Sequence, residues 1–98
     1  MELSRWTFLS NHGHVLVCIA RRADARVRDI ASDVGITERA VQRILSELEA
    51  AGVVERERIG RRNRYVIRED SPLRHPLESH CTVADLIRLT RRKLQYTG

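Results

Sequence analysis

The sequence predicts a mostly α-helical α+β fold carrying one small β-hairpin. Two short stretches of helical periodicity lie side by side, VRDIASDVG and ITERAVQRILSELEAAG. A strand–turn–strand with a basic tip, VVERERIGRRNRYVI, follows them directly. At 98 residues the chain is one domain of ordinary size, too short for a catalytic domain beside a separate sensory one.

Taken in order, Trp6 and Phe8 precede Ser10, a suitable N-cap for a helix through about residue 22. Val15, Leu16, Val17, Cys18, Ile19 and Ala20 go nearly all the way round that helix, so it should be buried on more than one side. Arg26 and Val27 read as a very short strand. Val27, Ile30, Ala31 and Val34 then fall at i, i+3, i+4 and i+7, the spacing of an amphipathic helix of about two turns. Gly35 supplies the stop and Thr37 the next N-cap, with Glu38 at the positive end of the following helix dipole. In that helix Val41, Ile44, Leu45 and Leu48 form one face, and Gly52 ends it.

Residues 53–59 and 64–68 read as strands joined by Gly60, Arg61, Arg62 and Asn63. Pro72 and Pro76 exclude regular helix or central strand nearby, leaving 71–81 as an arm. Thr82 followed by Asp85 resembles a capping box for a last helix from residue 83 to about 96. Its apolar stripe is Val83, Leu86, Ile87, Thr90 and Leu94. The expected organisation is therefore 1–70 as the main body, 71–81 as the arm, and 82–98 as a helix for dimerisation.

Helix, tight turn, helix and basic hairpin form the layout of a winged helix-turn-helix, whose second helix enters the DNA major groove. The charge agrees. Eighteen basic residues against 13 acidic ones leave a net +5, which favours a polyanionic partner. Opposite the apolar stripe of the second motif helix stand Arg39, Gln42, Arg43 and Ser46. Arg matches guanine and Gln matches adenine in the major groove. The bases occupy the first half of the helix, and Glu47 and Glu49 the second. That order opposes the helix dipole, and Arg39 and Arg43 repel at i, i+4, so the helix alone is slightly destabilised unless a polyanion lies against it. The hairpin tip gathers Arg58, Arg61, Arg62, Asn63 and Arg64, which suits phosphate or minor-groove contact. Only four aromatic residues exist and none interleaves with the basic patch, so duplex DNA fits better than a single strand.

On these residues the segment 28–67, RDIASDVGITERAVQRILSELEAAGVVERERIGRRNRYVI, resembles the winged helix-turn-helix of the MarR, ArsR and IclR-type bacterial and archaeal regulators. The resemblance implies base reading by Thr37, Arg39, Gln42 and Arg43 and wing contacts by Arg61, Arg62 and Arg64. The expected function is that of a sequence-specific homodimeric repressor on a pseudo-palindromic duplex site, two-fold symmetry placing two recognition helices in successive major grooves. Arg28 departs from the pattern, standing where many relatives place a Ser or Thr N-cap. Within these 98 residues there are also neither the long helical flanks of MarR proteins nor the effector domain of IclR proteins.

Some ArsR-like repressors sense metals, which directs attention to His14 and Cys18, four apart on the first helix. His12, His75, His80 and Cys81 would have to complete such a set. Their spacing matches no strong zinc motif, and Cys18 reads as a small core residue, so no metal and no cofactor is expected. Cys81, beside His80 in the arm, is the candidate for a thiol switch. No P-loop, dinucleotide fingerprint, nucleophile elbow or HExxH is present, and an enzyme is not expected. The longest apolar run, residues 15–20, is too short to span a bilayer, which predicts a cytoplasmic protein with no membrane partner. Two other functions fit the same layout, a winged-helix protein-interaction module and a non-specific chromatin-type DNA-binding protein.

Overall fold

In the computed structural model, which describes residues 5–91, the chain runs α1 (Asn11–Arg21), α2 (Val27–Val34), α3 (Glu38–Ala50), β1 (Val54–Ile59), β2 (Arg62–Ile67) and α4 (Val83–Thr90). One core unites them. Val15, Leu16 and Ile19 of α1, Ile30, Ala31 and Val34 of α2, and Val41, Ile44, Leu45 and Leu48 of α3 are all buried together. Val54 and Tyr65 close this core from the hairpin, and Val83 and Ile87 from α4, which lies against α1. The expected apolar faces of α2 and α3 are thus the buried ones. Cys18 and Ala20 of α1 are half-buried against the same core, and Val17 is half-buried outside it.

Local chemistry sets the helix ends. The Gly13 N–H donates to Ser10 Oγ at 3.4 Å, and the Ala40 N–H to Thr37 Oγ1 at 3.0 Å, so both expected N-caps bind a free amide of the first turn. Gly35 takes φ 85° and lets its N–H reach the Ala31 carbonyl at 2.8 Å, while the Ile36 N–H reaches the same carbonyl at 3.1 Å. That left-handed residue reverses the chain within three residues, turning α3 across α2. At α4 the Thr82 N–H donates to Asp85 Oδ2 at 2.9 Å, so Asp does the work of the usual Glu.

Two expectations are corrected. Arg26 and Val27 are not a strand: Arg26 is the N-cap of α2, its N–H bound to Asp29 Oδ2 at 3.4 Å, and Val27 is the first helical residue. The N-cap position of α2 therefore lies two residues before Arg28, which sits in the first turn. The contact expected of a third strand is made earlier, where the Tyr65 N–H on the outer edge of β2 donates to the Ala23 carbonyl at 2.9 Å.

The hairpin is also tighter than the four-residue connection suggested. Pairing runs from Val54↔Ile67 to Ile59↔Arg62, leaving Gly60 and Arg61 as the whole turn. Gly60 has φ 62°, as the first central residue of a type II′ turn requires. The arm, where no expectation is overturned, folds back on itself. Pro72 bridges Thr82, with the Leu73 N–H on the Cys81 carbonyl at 2.9 Å and the Val83 N–H on the Ser71 carbonyl at 2.8 Å. Neither bond needs a proton on the Pro72 nitrogen, which is why proline is tolerated there. The part of the last helix expected from Arg92 to Tyr96, including Leu94, lies outside the described residues.

Candidate nucleic-acid interface

The α3 sequence carries two interlocking sets at i, i+3, i+4 and i+7. Val41, Ile44, Leu45 and Leu48 face the core, so Arg39, Gln42, Arg43 and Ser46 must share the outer side, and all four are exposed. Among the described residues Arg39, Gln42 and Ser46 make no side-chain hydrogen bond or ion pair with the rest of the chain. Arg43 has one partner among the described residues, Glu47 at 3.6 Å. Thr37 is exposed at the head of the same helix, but its hydroxyl oxygen is already used as the cap.

The acidic half of α3 is occupied by neighbours. The His12 ring donates to Glu47 Oε1 at 2.6 Å from α1, and Arg56 of β1 binds the Glu49 carboxylate. These two links tie the far end of α3 to α1 and to the hairpin. The near end, with Arg39, Gln42 and Arg43, is left as an exposed, mainly cationic surface. The His12 hydrogen bond, with Arg43 beside it, holds the Glu47 carboxyl below its ordinary range. A lowered carboxylate pKa contributes stability above the unfolded value of about 4.3 and loses it as pH falls through the folded value. Glu47→Gln should therefore melt below the native chain at neutral pH, with the gap closing on acidification. A gap in melting temperature that stays constant with pH would disconnect this carboxylate from stability.

On the wing, the sequence-predicted arginines separate into different environments. Arg61 in the turn and Arg64 on β2 are exposed, with no hydrogen-bond or ion-pair partner among the described residues. Among the described residues Arg58 reaches only the nearby Gly60 carbonyl, at 3.3 Å. Asn63 is half-buried. Arg62 instead turns back to the loop between α1 and α2, donating to the Asp24 carbonyl at 2.9 Å with the Asp24 carboxylate at 4.0 Å.

Arg26, read from sequence as part of a strand, belongs with this surface. It lines a cleft of about 390 Å³ with Arg61, Arg62 and Asn63, between the start of α2 and the tip of the wing. The signal that would have placed it is Asp29, whose carboxylate three residues on marks Arg26 as a helix cap. A larger open cleft of about 830 Å³ lies between the segment before α1, the end of α3 and the arm, over a floor that includes Leu16, Leu48 and Val53. Its lining does not include Arg39, Gln42, Arg43 or Ser46 of α3.

The residues weighed as metal ligands remain apart. His12 is bound to Glu47, His14 to Asn11 at 3.2 Å, and the His75 ring accepts from the Leu77 N–H at 3.0 Å. Among the described residues no three His, Cys, Asp or Glu side chains group as a metal site. Burial pushes the half-buried Cys18 thiol up, with Asp33 adding to the effect, which suits a packing role rather than a reactive thiolate. Cys81 is half-buried where the arm closes on itself. No helix among the described residues is long and apolar enough to cross a membrane.

Three helices with a tight turn before the third, and a two-stranded wing after it, define a winged helix-turn-helix DNA-binding domain. The chain belongs to the TrmB family: the family described as "Sugar-specific transcriptional regulator TrmB" matches residues 11–69, which run from the start of α1 past the end of the wing. No curated protein shows a significant sequence match. Among solved structures the fold is similar to that of MepR, a transcription regulator of the Staphylococcus aureus multidrug efflux pump MepA. The TM-score is 0.56 at 18% identity, over 84% of this chain and 54% of MepR. The chain thus spans about half the length of that regulator, and the likeness is one of fold.

Proposed function

We propose that this chain is a sequence-specific regulator that reads duplex DNA with Arg39, Gln42, Arg43 and Ser46 of α3 and holds the backbone with Arg58, Arg61 and Arg64 of the wing. The observation that carries the reading is the division of α3: the acidic half is engaged by His12 and Arg56, and the basic half is exposed. A free helix with arginines at its positive end is electrostatically unfavourable, and a polyanion reverses the sign of that effect. Asn63, half-buried, lines the wing-tip cleft beside these residues.

The regulator acts in the cytoplasm as a homodimeric repressor that occupies a promoter, with its two α3 helices about 34 Å apart in successive major grooves. The outer side of α4, where Leu89 is exposed, and the spare side of α1 at the half-buried Val17 supply the dimer contact. The family's description makes a sugar the first class of effector to test. Fluorescence anisotropy on labelled duplexes that include the gene's own upstream region, with excess random competitor and at several salt concentrations, tests the reading. Binding to one fragment that survives competitor supports it. Weak binding, equal on all fragments and lost by moderate salt, would identify a non-specific chromatin-type protein. Absence of binding would point to a protein-interaction module.

A further inference from the structure

We infer that Arg62 is a positioning residue that sets the attitude of the wing and is not itself a phosphate contact. This rests on the DNA-binding reading. A two-stranded hairpin standing alone is marginal in water. Here the inner face is held by Val54 and Tyr65 in the core and by Arg56 on Glu49 of α3. All of these anchors lie toward the base of the hairpin or on its inner side. The outer edge of β2 has two ties among the described residues, both to the loop between α1 and α2. One is the Tyr65 N–H on the Ala23 carbonyl at 2.9 Å, and the other is the Arg62 guanidinium on the Asp24 carbonyl at 2.9 Å.

Arg62 is the tie nearer the tip, directly after the turn and opposite Ile59 in the register. With Asp24 and Asn63 it lines both of two clefts. One is completed by Arg21, Arg22, Ile59 and Arg64, and the other by Arg26 and Arg61. Apart from Arg62 itself these clefts gather five guanidinium groups around one carboxylate, Asp24, so the tip is pushed away from the loop by like charge. A cationic donor fixed to a backbone carbonyl, with that carboxylate 4.0 Å away, opposes the push. In this arrangement Arg61 and Arg64 meet the duplex and Arg62 holds them in place.

Three readouts test this on the full chain. Without DNA, Arg62→Met should speed hydrogen exchange of the Tyr65 amide by about tenfold, the worth of one charge-assisted hydrogen bond, and Arg61→Met should not. On the preferred duplex, Arg62→Met should weaken binding about tenfold while leaving the salt slope unchanged, whereas Arg61→Met should lower the slope by about 0.9. In an Arg58→Met, Arg61→Met, Arg64→Met background, Arg62→Met should cost nothing further, because the wing it positions no longer carries those contacts. The inference is overturned by unchanged exchange at Tyr65, or by a loss that stays additive and flattens the salt slope. If the native chain binds no duplex, the DNA reading fails, and the exchange comparison still decides whether Arg62 braces the wing.

Discussion

Ile44→Ala is expected to destabilise the domain by about 2–5 kcal/mol, the range for truncating a buried isoleucine. Ile44 is only 1% exposed, on the α3 face shared with Val41, Leu45 and Leu48, where α3 meets α1 and α2. Alanine is the better helix former by a few tenths of a kcal/mol, so the loss would arise from packing and not from helix propensity. Set against a total stability of about 5–15 kcal/mol for a domain of this kind, it removes a large share. Urea unfolding should show a lower midpoint with an unchanged slope. Replacing Gln42, on the opposite side of the same helix, should change stability by less than about 0.5 kcal/mol. Equal midpoints for the native chain and Ile44→Ala would mean that α3 is not seated as described.

The contrast between those two faces explains what the sequence revealed. Periodicity at 3.6 residues places Ile30, Ala31 and Val34 inside, and likewise Val41, Ile44, Leu45 and Leu48, without knowledge of any other segment. The exposed Arg39, Gln42, Arg43 and Ser46 follow by subtraction. Gly35 and Thr37 are equally legible, because a left-handed turn and an N-cap each depend on residues within one turn of helix.

Features fixed by distant partners were less accessible. Gly60, Arg61, Arg62 and Asn63 are all acceptable turn residues, and what selects the two-residue turn is the register that brings Val54 opposite Ile67 and Arg56 opposite Tyr65. The bond from Tyr65 to Ala23 and the return of the arm from Pro72 to Thr82 leave no periodic trace. The same limit applies to charge. Local spacing suggests the Arg43–Glu47 pair, but the His12–Glu47, Arg56–Glu49 and Arg62–Asp24 links join separate segments and decide which charges remain available.

That availability determines how binding should respond to substitution. Gln42→Ala or Arg43→Ala should cost roughly 1–3 kcal/mol on the preferred duplex and relax the preference at the base each one reads. Arg43 must leave Glu47 to reach a base, but that pair is solvent-exposed at 3.6 Å and screened by salt, so it is weaker than a bidentate contact to guanine. Glu47 is also not stranded by the exchange, because it retains the His12 hydrogen bond at 2.6 Å. Arg61→Ala should instead weaken all sequences alike and reduce the salt slope by about one. Titrations of matched and single-mismatch duplexes at two salt concentrations separate these behaviours. If Arg43→Ala lowered affinity equally for every duplex and flattened the salt dependence, Arg43 would belong with the phosphate contacts and Gln42 would carry more of the base reading. If neither α3 substitution changed affinity or preference, the exposed face of α3 would not be the reading surface.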